Sequence, residues 1–86
     1  MEINKLETIR EEINKTDEDL IKLLDKRFEI VKTVVKIKKE KGIPFFQAKR
    51  EQEILNRVSN LSKNSESSQN IFKVIMKETL KFEENL

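Results

Sequence analysis

The chain has one glycine and one proline, Gly42 and Pro44, two positions apart in the stretch "KEKGIPFFQAKREQEI" (residues 39–54). Nothing upstream of them breaks a helix over about forty residues. Through that run Leu6, Ile9, Ile13, Leu20, Leu23, Leu24, Val31, Val34 and Val35 recur at three- and four-residue spacing, which predicts one amphipathic helix. "NKLE" supplies a start, with Asn4 as N-cap and Glu7 in the capping-box position. Gly42 at C′ with Pro44 behind it supplies the stop, so the first helix is expected over residues 4–41.

A helix of that length extends about 57 Å at 1.5 Å per residue. A compact monomer of this size has a radius of gyration of about 12 Å and so a diameter of about 31 Å. The helix overshoots its own domain about twofold. Half its apolar stripe would be wet unless another chain covers it. The expected remedy is a two-fold dimer in which long helices pair and shorter helices pack across them.

Beyond the corner a second helix is expected from about Gln47 to Leu61, with Ile54, Leu55 and Val58 inward. The polar cluster "SKNSESSQN", residues 62–70, reads as a loop and helix start. A third helix then carries Ile71, Phe72, Val74, Ile75, Met76, Leu80 and Phe82 to the terminus, and no internal repeat is visible. The sum is one all-α domain, residues 1–86, with three helices per chain and a very long first helix. A composition of 36% hydrophobic and 40% charged residues, poor in turn formers, agrees.

Composition also narrows the chemistry. There is no Cys and no His, which removes disulfides, thiol nucleophiles, the usual zinc sites and imidazole acid–base catalysis. No metal or cofactor is expected. The 18 basic and 16 acidic residues are interspersed, a balance that gives little support to nucleic-acid binding. No apolar run reaches the roughly 18 residues of a membrane span. "MEINKLETIR" lacks the order of a signal peptide, so a cytoplasmic protein is expected.

Three cations and one acid stand where the stripe should be apolar. A 3,4-alternating register passes through Leu6, Arg10, Ile13, Asp17, Leu20, Leu24, Arg27, Val31, Val34 and Lys38. Any one of these charges could snorkel to solvent from the stripe's edge. Three cations together ask for more. Arg27 and Lys38 are three turns apart, about 16 Å along one face, whereas Arg10 lies about 25 Å from Arg27 and is rotated by about 100°. A small ligand could touch Arg27 and Lys38 of one chain, and Arg10 only from an antiparallel partner. Cations inside a bundle need counter-anions, and arginine grips carboxylates in a bidentate manner, so a small dianion is the natural ligand. Arg50 and Glu51 on the first turn of the second helix, and Thr79 and Glu83 at i,i+4 on the third, lie where such a pocket would close. The alternatives are a surface pair for the former and a solvated edge near a terminus for the latter.

The stretch "LETIREEINKTDEDLIKLLDKRFEIVKTVVKIKKEKGIPFFQAKREQEIL" resembles the all-helical chorismate mutase family. The shared elements are IR-x-x-I, LL-x-x-R, a Lys eleven residues later, the G-x-P corner and the RE pair. Each is unspecific alone, and the likeness runs over essentially the whole chain. The resemblance implies an intertwined homodimeric helical bundle with two sites, each rearranging chorismate to prephenate on the route to phenylalanine and tyrosine. It implies Arg27, Lys38, Arg50, Glu51, Thr79 and Glu83 from one subunit and Arg10 from the other. Arg10 and Arg27 take the part of carboxylate clamps. Lys38 reaches a carboxylate and the ether oxygen of the breaking bond. Glu51 accepts from the ring hydroxyl, Thr79 sits near the ring carboxylate and Arg50 orients. A pericyclic rearrangement needs no nucleophile, metal or cofactor, which suits a chain without His or Cys.

Two positions depart from the family's pattern. Gln47 stands where an Asp is frequent and is a poorer N-cap, with consequences for the helix start or a substrate-hydroxyl contact. Glu83 stands where many relatives have Gln, and a Glu donates to the ether oxygen only while protonated. Three other readings stay open: an isochorismate pyruvate-lyase on the same fold, a non-catalytic helical dimer with an interaction or regulatory role, and a nucleic-acid-binding hairpin.

Overall fold

A computed structural model describes residues 2–86, with the side chain of Glu2 left aside. Three helices follow in order, α1 (Glu2–Lys41), α2 (Ala48–Leu61) and α3 (Ser65–Glu84), with no strand among the described residues. Helix α1 is 40 residues long. The all-helical class and the long first helix follow from the unbroken 3.6-residue pattern. Contacts divide the chain into two units, one ending at Ile30 and the other comprising Val31–Leu86.

The first unit is helix alone. Leu6, Ile9, Ile13, Leu20, Leu23 and Ile30 are all exposed within it. The start expected at Asn4 moves to Glu2, and Asn4 lies inside the helix with its carbonyl accepting from Thr8 Oγ1 at 2.9 Å. Glu7 reaches forward to Arg10 at 3.6 Å instead of back to a cap. Nothing in Glu2 or Ile3 opposes helix, and propagation adds one backbone bond for each residue fixed.

The second unit begins with the last turns of α1. Gly42 ends the helix with φ +67°, the left-handed conformation that glycine adopts without a Cβ clash, and Ile43 N–H donates to the Lys38 carbonyl at 2.8 Å. Pro44 follows and prevents the helix from resuming. Gln47, in extended backbone at φ −134°, precedes α2 without a side-chain cap bond, as a glutamine at that position predicts. Helices α2 and α3 pack on each other as a hairpin. Val31 and Val35 of α1, Val58 of α2 and Met76 of α3 are its buried apolar residues.

The loop and helix start expected over 62–70 are both there, the loop at 62–64 and the start of α3 at Ser65. Ser59 Oγ meets Ser65 Oγ at 2.9 Å, and Ser62 Oγ meets Ser68 Oγ at 2.6 Å. Gln69 Nε2 donates to Ser65 Oγ at 3.0 Å. Ser62 Oγ also accepts from the Asn64 N–H at 3.1 Å, so the turn is held both by a serine bonding its nearby backbone and by hydroxyls paired across it.

Candidate active site

The site grows from one lysine. On α1, Val31, Val35 and Lys38 share a face at i, i+4 and i+7. On α3, Met76, Thr79 and Glu83 share another at i, i+3 and i+7. Lys38 Nζ joins the two, lying 3.3 Å from Glu83 Oε2 and donating to the Phe45 carbonyl at 2.7 Å. The side chains of Lys38 and Glu83 are only 11% and 8% exposed. An ammonium this far from water needs acceptors, and it has two of different kinds, a carboxylate and a backbone dipole. With three donors on Nζ, one remains for a ligand.

The corner makes this possible. Gly42 and Pro44 turn the chain so that the Phe45 carbonyl meets the lysine seven residues behind it. No side-chain pattern marks that contact, since the acceptor is a main-chain atom; the G-x-P turn is its only trace in the sequence.

The other expected residues fall into three groups. Thr79 and Glu83 are both buried on α3, Glu83 against the Lys38 ammonium, so neither forms a solvated edge. Thr79 Oγ1 donates to the Ile75 carbonyl at 2.7 Å. Glu51 is half-buried on the first turn of α2, its N–H donating to the Gln47 carbonyl at 3.1 Å. Gln47 is exposed at the α2 start. Arg50 is exposed too, and its Nη1 lies 3.6 Å from Glu53 Oε2, making a surface pair with Glu53 and not with Glu51. In the first unit Arg27 is half-buried. Arg10, 60% exposed, pairs with Glu7.

Chemically, the second unit offers a lysine ammonium held by two acceptors, a buried hydroxyl, a buried carboxyl and a half-buried carboxylate. Such a set suits an oxygen-rich anion with a hydroxyl, oriented by donors that need not reorganise when charge develops.

Among protein families, chorismate mutase type II matches residues 9–84. A chorismate mutase of Methanocaldococcus jannaschii is 36% identical over 69 residues, 80% of this chain and 70% of that protein. A bifunctional chorismate mutase/prephenate dehydratase of Aquifex aeolicus is 31% identical over 61 residues, 71% of this chain and 17% of that longer protein. The family match spans α2 and α3 entirely and α1 from Ile9 onward, including every residue from Arg10 to Glu83 discussed above. That match covers most of the chain, which with its three helices and long α1 belongs to the type II chorismate mutases, a family of isomerases.

Proposed function

We propose that residues 1–86 form one chorismate mutase domain, cytoplasmic and homodimeric, that converts chorismate to prephenate without metal or cofactor. The observation that carries the reading is the Lys38 ammonium, fixed between the Phe45 carbonyl and Glu83 in a nearly closed setting with a donor to spare.

The reaction breaks the ether C–O bond of chorismate as a new C–C bond forms between the enolpyruvyl arm and the ring. The protein's tasks are to hold the arm over the ring and to stabilise the negative charge growing on the ether oxygen. Lys38 gives its remaining donor to that oxygen, with its charge also facing a carboxylate. Arg27 and the partner's Arg10 clamp the substrate's carboxylates in bidentate fashion. Glu51 accepts from the ring hydroxyl, Thr79 borders the ring carboxylate, and Gln47 and Arg50 close the mouth near the α2 start. Glu83, when protonated, gives the ether oxygen a second donor.

The homodimer follows from α1. Its exposed row of Leu6, Ile9, Ile13, Leu20, Leu23 and Ile30 has no cover within its own unit, and a two-fold partner would bury it while delivering Arg10. The test is depletion of chorismate by the purified protein in chelator-treated buffer, with product identification. Prephenate is the expected product. Turnover of isochorismate to pyruvate and salicylate in place of this reaction would assign the lyase. Failure to bind or convert either substrate would leave a non-catalytic dimer.

A further inference from the structure

The near balance of charge over the whole chain hides a local excess. Residues 32–51 hold seven of the 18 basic side chains and two of the 16 acids, Glu40 and Glu51. The rest of the chain is net acidic. The cationic stretch comprises the end of α1, the corner and the first turn of α2, the segments on either side of the contact between Lys38 and the Phe45 carbonyl. Lys38 itself is nearly enclosed, but Lys39, Lys41, Lys49 and Arg50 are all exposed.

Helix stability does not account for this arrangement. A cation is favourable in the last turn of a helix, which covers Lys38, Lys39 and Lys41. It is unfavourable at the opposite end, and Lys49 and Arg50 stand in the first turn of α2. Like charges three or four residues apart also oppose helix, and Lys32/Lys36, Lys36/Lys39 and Lys38/Lys41 are such pairs. The corner carries more positive charge than its helices favour.

We propose that the exposed lysines of the corner, Lys41 and Lys49, form an electrostatic funnel that draws a small dianion towards the Lys38 ammonium without holding it once bound. This rests on the reading of the site as a chorismate mutase. Lys39 and Arg50 already have acceptors, the Leu86 carbonyl at 3.1 Å and Glu53 at 3.6 Å. Lys41 and Lys49 make no ion pair among the described residues. Both are close to the site. Lys41 lies less than one turn beyond Lys38 on α1, rotated from it by about 60°. Lys49 is four residues beyond Phe45 and so no more than about 14 Å from it, and the Phe45 carbonyl is 2.7 Å from Lys38 Nζ. Over such distances a cation attracts a dianion at about 10 mM ionic strength, where screening sets in only beyond about 30 Å. At about 0.5 M the attraction is gone. A lysine ammonium suits this task, being a strongly hydrated point charge on a flexible stem that attracts from afar and grips poorly.

The test compares two double variants of equal charge. Lys41→Gln/Lys49→Gln removes two cations from the corner, and Lys63→Gln/Lys73→Gln removes two exposed ones from the α2–α3 turn and α3. At about 10 mM ionic strength the corner variant should lose about fivefold in kcat/KM for chorismate, with kcat unchanged. At about 0.5 M the loss should shrink below about twofold, and the second variant should match the wild type at both. Lys49→Gln alone should hold or raise Tm, since it removes a cation from a helix N-terminus, so the lost rate is not a loss of fold. An unchanged corner variant, or equal losses in the two variants, would overturn the funnel. So would a loss that persists at high salt, which would make Lys41 or Lys49 a direct contact. These results leave the mutase reading standing, whereas wild-type protein that does not turn over chorismate overturns that reading and the funnel with it.

Discussion

Lys38 is a charged residue almost out of water, and its two acceptors, the Phe45 carbonyl and Glu83, offset the lost hydration. Removing one partner of so enclosed a pair strands the other. Lys38→Met is expected to destabilise the fold by about 3 kcal/mol, read by urea unfolding, and to abolish turnover. The double variant Lys38→Met/Glu83→Met should regain most of the stability and none of the activity, which separates packing from catalysis. Glu83 is the other candidate donor. Its carboxyl pairs with Lys38 in the free protein, and only the acid form carries a proton to give to the ether oxygen. Glu83→Gln should keep a permanent donor and raise kcat/KM at neutral pH. No gain in the Gln variant would remove Glu83 from the ether oxygen and leave Lys38 as its donor.

Between α1 and α2, the corner turns a local backbone choice into a functional position. Gly42 has φ +67°, and a Cβ built there would touch nothing within 4 Å, so substitution acts through backbone conformation alone. Gly42→Ala is expected to cost about 1 kcal/mol, a drop of about 4–8 °C in Tm for a domain of this size. Gly42→Asn, which enters the left-handed region more readily, should cost less. Because the turn carries the Phe45 carbonyl onto Lys38, kcat should track these changes as well as Tm. The α2–α3 turn works differently, through its paired serine hydroxyls, and it positions α3, the helix that bears Thr79 and Glu83.

For the whole molecule, the exposed row on α1 is the dominant fact. Folding and pairing should be inseparable, so Tm should rise with protein concentration. Sedimentation showing a well-folded monomer at micromolar concentration would refute the paired arrangement and leave Arg10 with no route to a site. Shared sites make a second expectation. Arg10→Ala and Arg27→Ala chains should each be nearly inactive alone. Mixed by co-refolding, they should regain activity through one intact site in each mixed dimer. No recovery would confine both arginines to the same subunit's chemistry.

What could be read along the chain is what depends on neighbours within a turn or two. The class, the length of α1, its end at Gly42 and the placing of Lys38 on a partly apolar face all follow from 3.6-residue periodicity and two breakers, because helix formation is a local equilibrium. The 62–70 cluster was legible as a loop and helix start, though not the point within it, Ser65, where the helix begins. Asn4 misled, because an asparagine favours a cap only while its side chain bonds the nearby backbone, and the helix starts before it at Glu2. The meeting of Lys38 with Glu83, forty-five residues apart, was out of reach of any local rule. So was the Phe45 carbonyl, since a main-chain acceptor has no residue identity to read. Tertiary packing alone decided those contacts, because only the return of the chain through its corner and hairpin brings an ammonium, a carbonyl and a carboxylate together where water cannot serve them.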